Sequence, residues 1–284
     1  MTGASIPNAI GPLSYERPLV MGVVNVTPDS FSDGGQFLDP ATAIAHGKSL
    51  CAAGADILDI GGESTRPGAE PVSPEEEIRR VVPVIEGLNE LGVPISIDTR
   101  HALVMKAALA AGADIINDVS ALSHDPDSMA VATGSDVPVI LMHAQGTPQT
   151  MQNDPYYEDV VAEVAAYLQE RVRACVAAGI DAKRLILDPG IGFGKTLDHN
   201  IALMAGLGEL VALGHPVLLG ASRKRFIGAL TGVEAAENRV SGSVAAALAG
   251  IAQGVHIVRV HDVAETCQAI AVWQAIENTR EKTS

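Results

Sequence analysis

Eight short apolar runs, at 19–25, 56–60, 94–98, 114–118, 138–143, 185–189, 216–221 and 256–261, limit what this chain can fold into. Each is strand-length and apolar at consecutive positions, the pattern of a parallel strand buried on both faces. The segments between them carry helical spacing. From Ser73, the run Ser-Pro-Glu-Glu offers an N-cap, proline at N1 and glutamate at N3, and Ile78, Val81, Val82, Ile85 and Leu88 follow at three- and four-residue steps. A second predicted helix carries Val161, Val164, Leu168, Val172, Cys175 and Val176 on one face. The unit is also reused: Ala53-Gly54-Ala55-Asp56-Ile57 recurs as Ala111-Gly112-Ala113-Asp114-Ile115, with weaker copies at Ala178-Gly179-Ile180 and Gln253-Gly254-Val255. Glycine just past a helix, then a strand, is the usual helix-to-strand connection. Eight such units in 284 residues predict a single (β/α)8 TIM barrel, from about residue 18 to 278, in one domain spanning 1–284. A doubly wound sheet is the alternative, but it uses fewer strands at this length.

Composition narrows the class. No apolar run reaches the ~18 residues of a membrane span, and the first residues lack the basic start of a secretory signal. Three cysteines, Cys51, Cys175 and Cys267, lie in alanine-rich helical patterns without CxxC spacing, which predicts reduced, buried thiols in a cytoplasmic protein. Net charge of −15 disfavours nucleic acid as a partner. A small anion remains compatible, because free charges are screened within ~8 Å at physiological salt.

Catalytic groups in such a barrel sit at the C-terminal ends of the strands. Polar residues gather there at nearly every one: Asn25; the block Asp59–Gly68; Asp98-Thr99-Arg100; Asn117-Asp118; His143; Asp188–Thr196; Ser222-Arg223-Lys224; and Arg259 with His261-Asp262. Singly, Asp98 and Asp188 read as helix caps, His143 as a bonded structural histidine and Arg100 as a solvated side chain. Together on one rim they read as a site. Arg66, Lys224 and Arg259, beside His261, Asn25 and Thr65, suit a phosphate or diphosphate, with Asn25 offering an oxygen to Mg²⁺ carried by that ligand. Asp98, Asn117 and Asp188 supply the acceptors and amide that a flat, donor-rich heterocycle such as a 2-amino-pyrimidinone requires. The run Gly190–Thr196 ends like a phosphate-binding P-loop, but Pro189 stands where that motif needs glycine. CxxC, HExxH and GxSxG are absent, which leaves zinc chemistry and serine hydrolysis without a foothold.

The blocks NVTPDSFSDGG, DIGGESTRPGA, SIDT, IINDVS, GTPQTMQ, LDPGIGFGKT, GASRKRFIG and VRVHDV, in order from about Val20 to Val263, resemble those of bacterial dihydropteroate synthases. The resemblance implies a TIM barrel that joins (7,8-dihydropterin-6-yl)methyl diphosphate to 4-aminobenzoate in folate synthesis, with Mg²⁺ as cofactor and a homodimer as the usual assembly. By matching motif it places Asp98, Asn117, Asp188 and Lys224 at the pterin. Asn25, Thr65, Arg66, Arg259 and His261 fall around diphosphate and Mg²⁺, and Asn25, Asp98, Lys224 and Arg259 are the expected catalytic set. Phe31, Pro67, Phe193 and Ser222 fall where aminobenzoate, and the sulfonamides that mimic it, are held. Phe31 is the large apolar residue of a loop ending in Gly34-Gly35, which suits a lid over the aminobenzoate ring. Other pterin-binding barrels, the methyltransferases, do not need the SFSDGG and STRPG loops present here. A catalytically silent paralogue would be expected to have lost a matched position, and none is lost.

Overall fold

In the computed structural model of the chain, residues 9–27, 40–64, 71–146 and 150–283 are described. A short antiparallel hairpin, β1 (Ala9–Ile10) and β2 (Leu13–Ser14), precedes an eight-stranded parallel sheet. Its strands are β3 (Leu19–Asn25), β4 (Ile57–Gly61), β5 (Ile95–Asp98), β6 (Ile115–Asp118), β7 (Val139–Met142), β8 (Leu185–Asp188), β9 (Leu218–Leu219) and β10 (Ile257–Val260). They are ordered β8-β7-β6-β5-β4-β3-β10-β9, so the first strand lies beside the last. A parallel bridge between Leu187 and Val217 joins the two ends of that order and closes the barrel.

The strands fall where the apolar runs predict. The seventh is much shorter than its run of 216–221. Pro216 has no N–H to give a ladder, and the Val217 carbonyl takes the N–H groups of both His256 (2.9 Å) and Ile257 (3.1 Å).

The helices outside the ring include α1 (Pro40–Ala52), α2 (Pro74–Leu88), α3 (Ala102–Ala111), α4 (Ser128–Thr133) and α5 (Val160–Ala177). They continue with α6 (Leu197–Ala205), α7 (Leu207–Val211), α8 (Arg225–Thr231), α9 (Val240–Ile251) and α10 (Val263–Thr283). Ser73 caps α2 as predicted, its hydroxyl accepting the Glu76 N–H at 3.2 Å with proline at the first helical position. The Glu76 carboxylate is engaged further along the helix, by Arg80 at 2.9 Å. On α5, Val164, Leu168 and Cys175 are buried, but Val176, one place round the helix from Cys175, is exposed. Cys51 and Cys267 are likewise only partly buried, against the expectation for all three thiols. No described helix is long and apolar enough to cross a membrane.

The sequence repeat has a mechanical role. Gly54 and Gly112 both take the left-handed φ, +102° and +108°, that ends a helix and turns the chain into a strand. The aspartate two residues later then clamps the preceding strand. Asp56 accepts the Val20 N–H, and Asp114 accepts the Ile95 N–H, each at 2.9 Å.

Side chains alternate between two cores. Outward-facing residues such as Val20, Leu58, Ile97, Ile116, Leu141 and Leu187 pack under the helices. Inward-facing Met21, Ile57, Ile115, Ile140, Ile186, Leu218 and Ile257 fill the lower barrel, with Leu13 of the hairpin and Leu19 packed among them. The next inward position on each strand lies at the mouth.

Candidate active site at the mouth of the barrel

Asp59 is the hub of the mouth. It is fully buried in the middle of β4, inside an otherwise apolar strand. Its Oδ2 accepts the Arg259 Nε–H at 2.6 Å, and its carboxylate accepts the Asn117 Nδ2–H at 3.2 Å and 3.3 Å. Arg259, on β10, spends a second N–H on Asp98 Oδ2 at 2.8 Å, reaching across from the end of β5. Because Asn117 turns its amide N–H toward Asp59, its carbonyl oxygen is left as the group it offers elsewhere. The other oxygen of Asp98, Oδ1, is buried and has no hydrogen-bond partner among the described residues. A buried polar atom without a partner costs about 1–3 kcal/mol.

The second half of the mouth is the loop after β8. Asp188 Oδ1 accepts the Gly190 N–H at 2.7 Å. Gly190 has φ +64°, and a β-carbon there would stand 1.8 Å from the His143 carbonyl oxygen. The loop therefore lies directly on the end of β7, an approach only glycine permits. Lys224, at the start of α8, donates to the Ile191 carbonyl and holds its ammonium 4.5 Å from the centre of the Phe193 ring. Ser222 and His261 share a hydrogen bond of 3.0 Å between Oγ and Nδ1, and Ser222 Oγ also accepts the His261 backbone N–H.

Crowding of charge shifts these groups. Burial pushes the Asp98 carboxyl up to about 7; the Arg259 guanidinium opposes this, while Asp59, Asp118 and Asp188 add to it. Burial also raises Asp188, against the pull of Lys224. Lys224 is lowered to about 8 by desolvation, with Asp188 resisting and the Arg259 cation assisting. Burial works to lower Arg259, but Asp59 and Asp98 outweigh it and keep it charged. The mouth thus holds more carboxylates than it has cations to neutralise.

The structure brings Asp98, Asn117, Asp188, Lys224 and Arg259 together. It also interlocks groups that the sequence divides between subsites. Arg259, expected beside the diphosphate residues, is tied to Asp98 of the heterocycle set, and His261 is tied to Ser222. Asn25 ends β3 at the same rim, in register with Gly61. Phe31, Thr65, Arg66 and Pro67 lie outside the described residues. Arg100 is not a solvated side chain: it forms a largely buried pair with Glu63 at 2.9 Å. Asp118 ties off the turn after β6, accepting the Ser120 and Leu122 N–H groups at 2.7 Å and 3.0 Å. Arg223 pairs with Asp262.

The sequence places Asp59 and Lys195 in polar blocks on the rim but assigns neither a role. A carboxylate two residues after an inward-facing isoleucine, in a strand otherwise buried, was the available sign of Asp59. Lys195 is almost fully buried, and burial with the nearby Lys224 cation brings it down to about 7 while Asp188 opposes.

Residues 21–261 match the pterin binding enzyme family. A dihydropteroate synthase of Neisseria meningitidis serogroup B is 56% identical over 269 residues, covering 93% of this chain and 94% of that one. The chain belongs to the dihydropteroate synthase family. Among solved structures, Xanthomonas albilineans dihydropteroate synthase with 4-aminobenzoic acid superposes with a TM-score of 0.89 at 54% identity, covering 93% of this chain and 95% of that one. The same enzyme in complex with 7,8-dihydropteroate gives a TM-score of 0.86 at 52% identity over the same shares. Family membership and the (β/α)8 architecture therefore agree with the expectations from sequence.

Proposed function

We propose that the barrel mouth condenses (7,8-dihydropterin-6-yl)methyl diphosphate with 4-aminobenzoate to give 7,8-dihydropteroate and diphosphate. The observation that carries this reading is the acceptor set of the mouth: the unpartnered Asp98 oxygen, the free face of the Asn117 amide and the Asp188 carboxylate. A 2-amino-pyrimidinone ring brings the N–H donors these groups lack. Lys224, its ammonium 4.5 Å from the centre of the Phe193 ring and within the field of Asp188, would add a cation beside the heterocycle. Arg259, already bridging Asp59 and Asp98, stands where pterin and diphosphate would meet, and His261 and Asn25 flank it. Thr65 and Arg66 complete the diphosphate set by sequence position.

The reaction forms a C–N bond from the aminobenzoate amine to the pterin methylene and breaks the C–O bond to diphosphate, and the amine loses one proton. The electron-rich pterin spreads positive charge developing on the methylene, so no enzyme nucleophile is required. What the chain supplies is positioning and a fixed cation beside the departing oxygens. Mg²⁺ would neutralise charge on the leaving diphosphate. It would be held by the Asn25 side-chain oxygen and the ligand's own oxygens, consistent with an ion that takes few protein ligands and keeps several waters. Phe193 and Ser222, with Phe31 and Pro67 from the first and second loops, would hold aminobenzoate, and sulfonamides would compete there. Three free cysteines fit a reducing cytoplasm, and the partner expected is a second copy of the chain.

The test is diphosphate release from dihydropterin diphosphate with Mg²⁺, with and without 4-aminobenzoate. Release that depends on aminobenzoate and yields dihydropteroate supports the reading. Release at the same rate without it, or none at all, overturns it.

A further inference from the structure

Lys195 has no part in the reading above, and its surroundings are unusually specific. Its Nζ lies 2.9 Å from His143 Nδ1, 3.0 Å from the Gly190 carbonyl and 2.9 Å from the Phe193 carbonyl. An ammonium has three N–H donors and no acceptor, so these three partners saturate it, with His143 accepting through Nδ1. His143 is suited to that role: burial, reinforced by the Lys195 cation, drives its pKa down to about 3 and keeps the ring neutral. A buried cation with no carboxylate partner is expensive to hold unless every donor is used.

The bonds connect the turn after β8 to the end of β7, where the His143 N–H also donates to the Asp188 carbonyl at 3.0 Å. Gly190 and Phe193 are the two ends of the turn after β8, and His143 is at the end of the neighbouring β7. The rest of the turn is tied as completely. The Gly192 N–H goes to Asn200 Oδ1 at 2.6 Å, and its carbonyl accepts from Gln152 at 2.8 Å. The Gly194 carbonyl accepts the Tyr157 hydroxyl at 2.9 Å. The Phe193 N–H closes the turn on the Gly190 carbonyl at 3.1 Å, and Lys195 holds the carbonyls of both ends and joins them to His143.

We infer that Lys195 is a positioning residue: through the Gly190 and Phe193 carbonyls and His143, its ammonium sets the turn that presents the Phe193 ring to aminobenzoate. This rests on the reaction proposed above. Of the groups expected to recognise the pterin, Asp98 and Asn117 are anchored away from the turn, by Arg259 and Asp59, while Asp188 and Lys224 meet it at the Gly190 N–H and the Ile191 carbonyl. Phe193 is held through its own carbonyl by Lys195, so loosening the clamp should disturb aminobenzoate more than the pterin.

Steady-state kinetics of Lys195→Met, His143→Leu and His143→Asn in the full chain test this, each with both substrates varied. Asparagine places an acceptor near the position of Nδ1; leucine does not. Lys195→Met and His143→Leu are expected to raise KM for 4-aminobenzoate at least tenfold and KM for dihydropterin diphosphate several-fold less, and His143→Asn is expected to recover most of the loss. A purely structural role would lower the folded fraction, and so kcat, with both KM values unchanged. That pattern, or an equal rise in both KM values, overturns the inference. If Lys195→Met does not fold, the two His143 variants decide it alone: equal aminobenzoate KM values for leucine and asparagine overturn it. Wild-type turnover is the control, and its absence would remove the proposed reaction itself and this inference with it.

Discussion

The lower and upper interiors of the barrel are built by the same strands, two residues apart, and they solve opposite problems. Below, Met21, Ile57, Ile115, Ile140, Ile186, Leu218 and Ile257 meet in a layer closed to solvent. One pleat higher, the corresponding inward positions are Val23, Asp59, Asn117, Met142, Asp188, Gly220 and Arg259. The lower layer gains about 1.5–3 kcal/mol per buried aliphatic side chain, and the polar atom set beside it is the Ser96 hydroxyl of β5, opposite Ile115. The upper layer gains little from burial and must neutralise itself. With Asp59, Asp98 and Asp188 set against Arg259 and Lys224, it does so incompletely. Conservation of the pleat across both layers shows that the site is an interruption in a core pattern, not an appendage to it. The incompleteness is what a donor-rich, anion-bearing ligand would correct.

The largest expected effect comes from carrying the upper chemistry into the lower layer. Ile57→Asp puts an unpaired carboxylate where no cation reaches and should cost about 4 kcal/mol or more, read by denaturant unfolding. A cost under about 1 kcal/mol would mean that the lower layer is wet, and the comparison would fail.

Next is Arg259→Met, which strips the cation from two carboxylates at once. Breaking one side of a buried pair costs roughly 3 kcal/mol. The loss should be larger at pH 8 than at pH 5, because protonation of Asp98, raised to about 7, relieves it at the lower pH. Diphosphate-dependent binding should fall with it. Equal destabilisation at both pH values would show that Asp98 does not depend on Arg259.

A third variant tests buried acid outside the mouth. Glu77 of α2 is fully buried, and neither carboxyl oxygen has a partner at hydrogen-bonding geometry among the described residues, although Thr99 lies close enough to oppose the shift. Burial raises it to about 8, so between its ordinary range and that value the folded state holds a proton that the unfolded chain releases. Stability from this group is then complete below about pH 4.5 and is lost as pH rises toward 8. Glu77→Gln should remove that loss, stabilising the protein by roughly 2 kcal/mol at pH 8 and by much less at pH 5. An equal effect at the two pH values would contradict the assignment.

How much of this was legible from residues alone follows from the same two layers. Parallel strands buried on both faces write continuous apolar runs, so their positions could be read, and the repeated Ala-Gly-Ala-Asp marked the turns. Asp98 ends its apolar run and Lys224 follows one, so both could be read as rim residues. Asn117 and Asp188 stand one place before the end of their runs, as Asp59 does, and only the pleat shows that all three face inward. The division into pterin and diphosphate residues was blurred for a physical reason: one guanidinium with several N–H groups serves both sets, and no spacing along the chain reveals that. Lys195 was hidden by its resemblance to the end of a phosphate loop. Burial of Cys51, Cys267 and Val176 was over-read because an apolar stripe on a helix is wider than the strip that meets the barrel.

The smallest expected stability change accompanies the most direct measurement. Asp98→Asn keeps the shape of the mouth and removes the carboxylate that Arg259 only partly neutralises. It should shift stability by about 1 kcal/mol or less at pH 5, with a gain toward pH 8. In the proposed function the unpartnered Asp98 oxygen recognises the heterocycle. Calorimetric titration of a pterin lacking the diphosphate, against the wild type and Asp98→Asn, tests it without any chemistry intervening. The wild type is expected to bind, and the variant, with its fold intact, to bind at least tenfold more weakly. Equal affinity for the two proteins would contradict it.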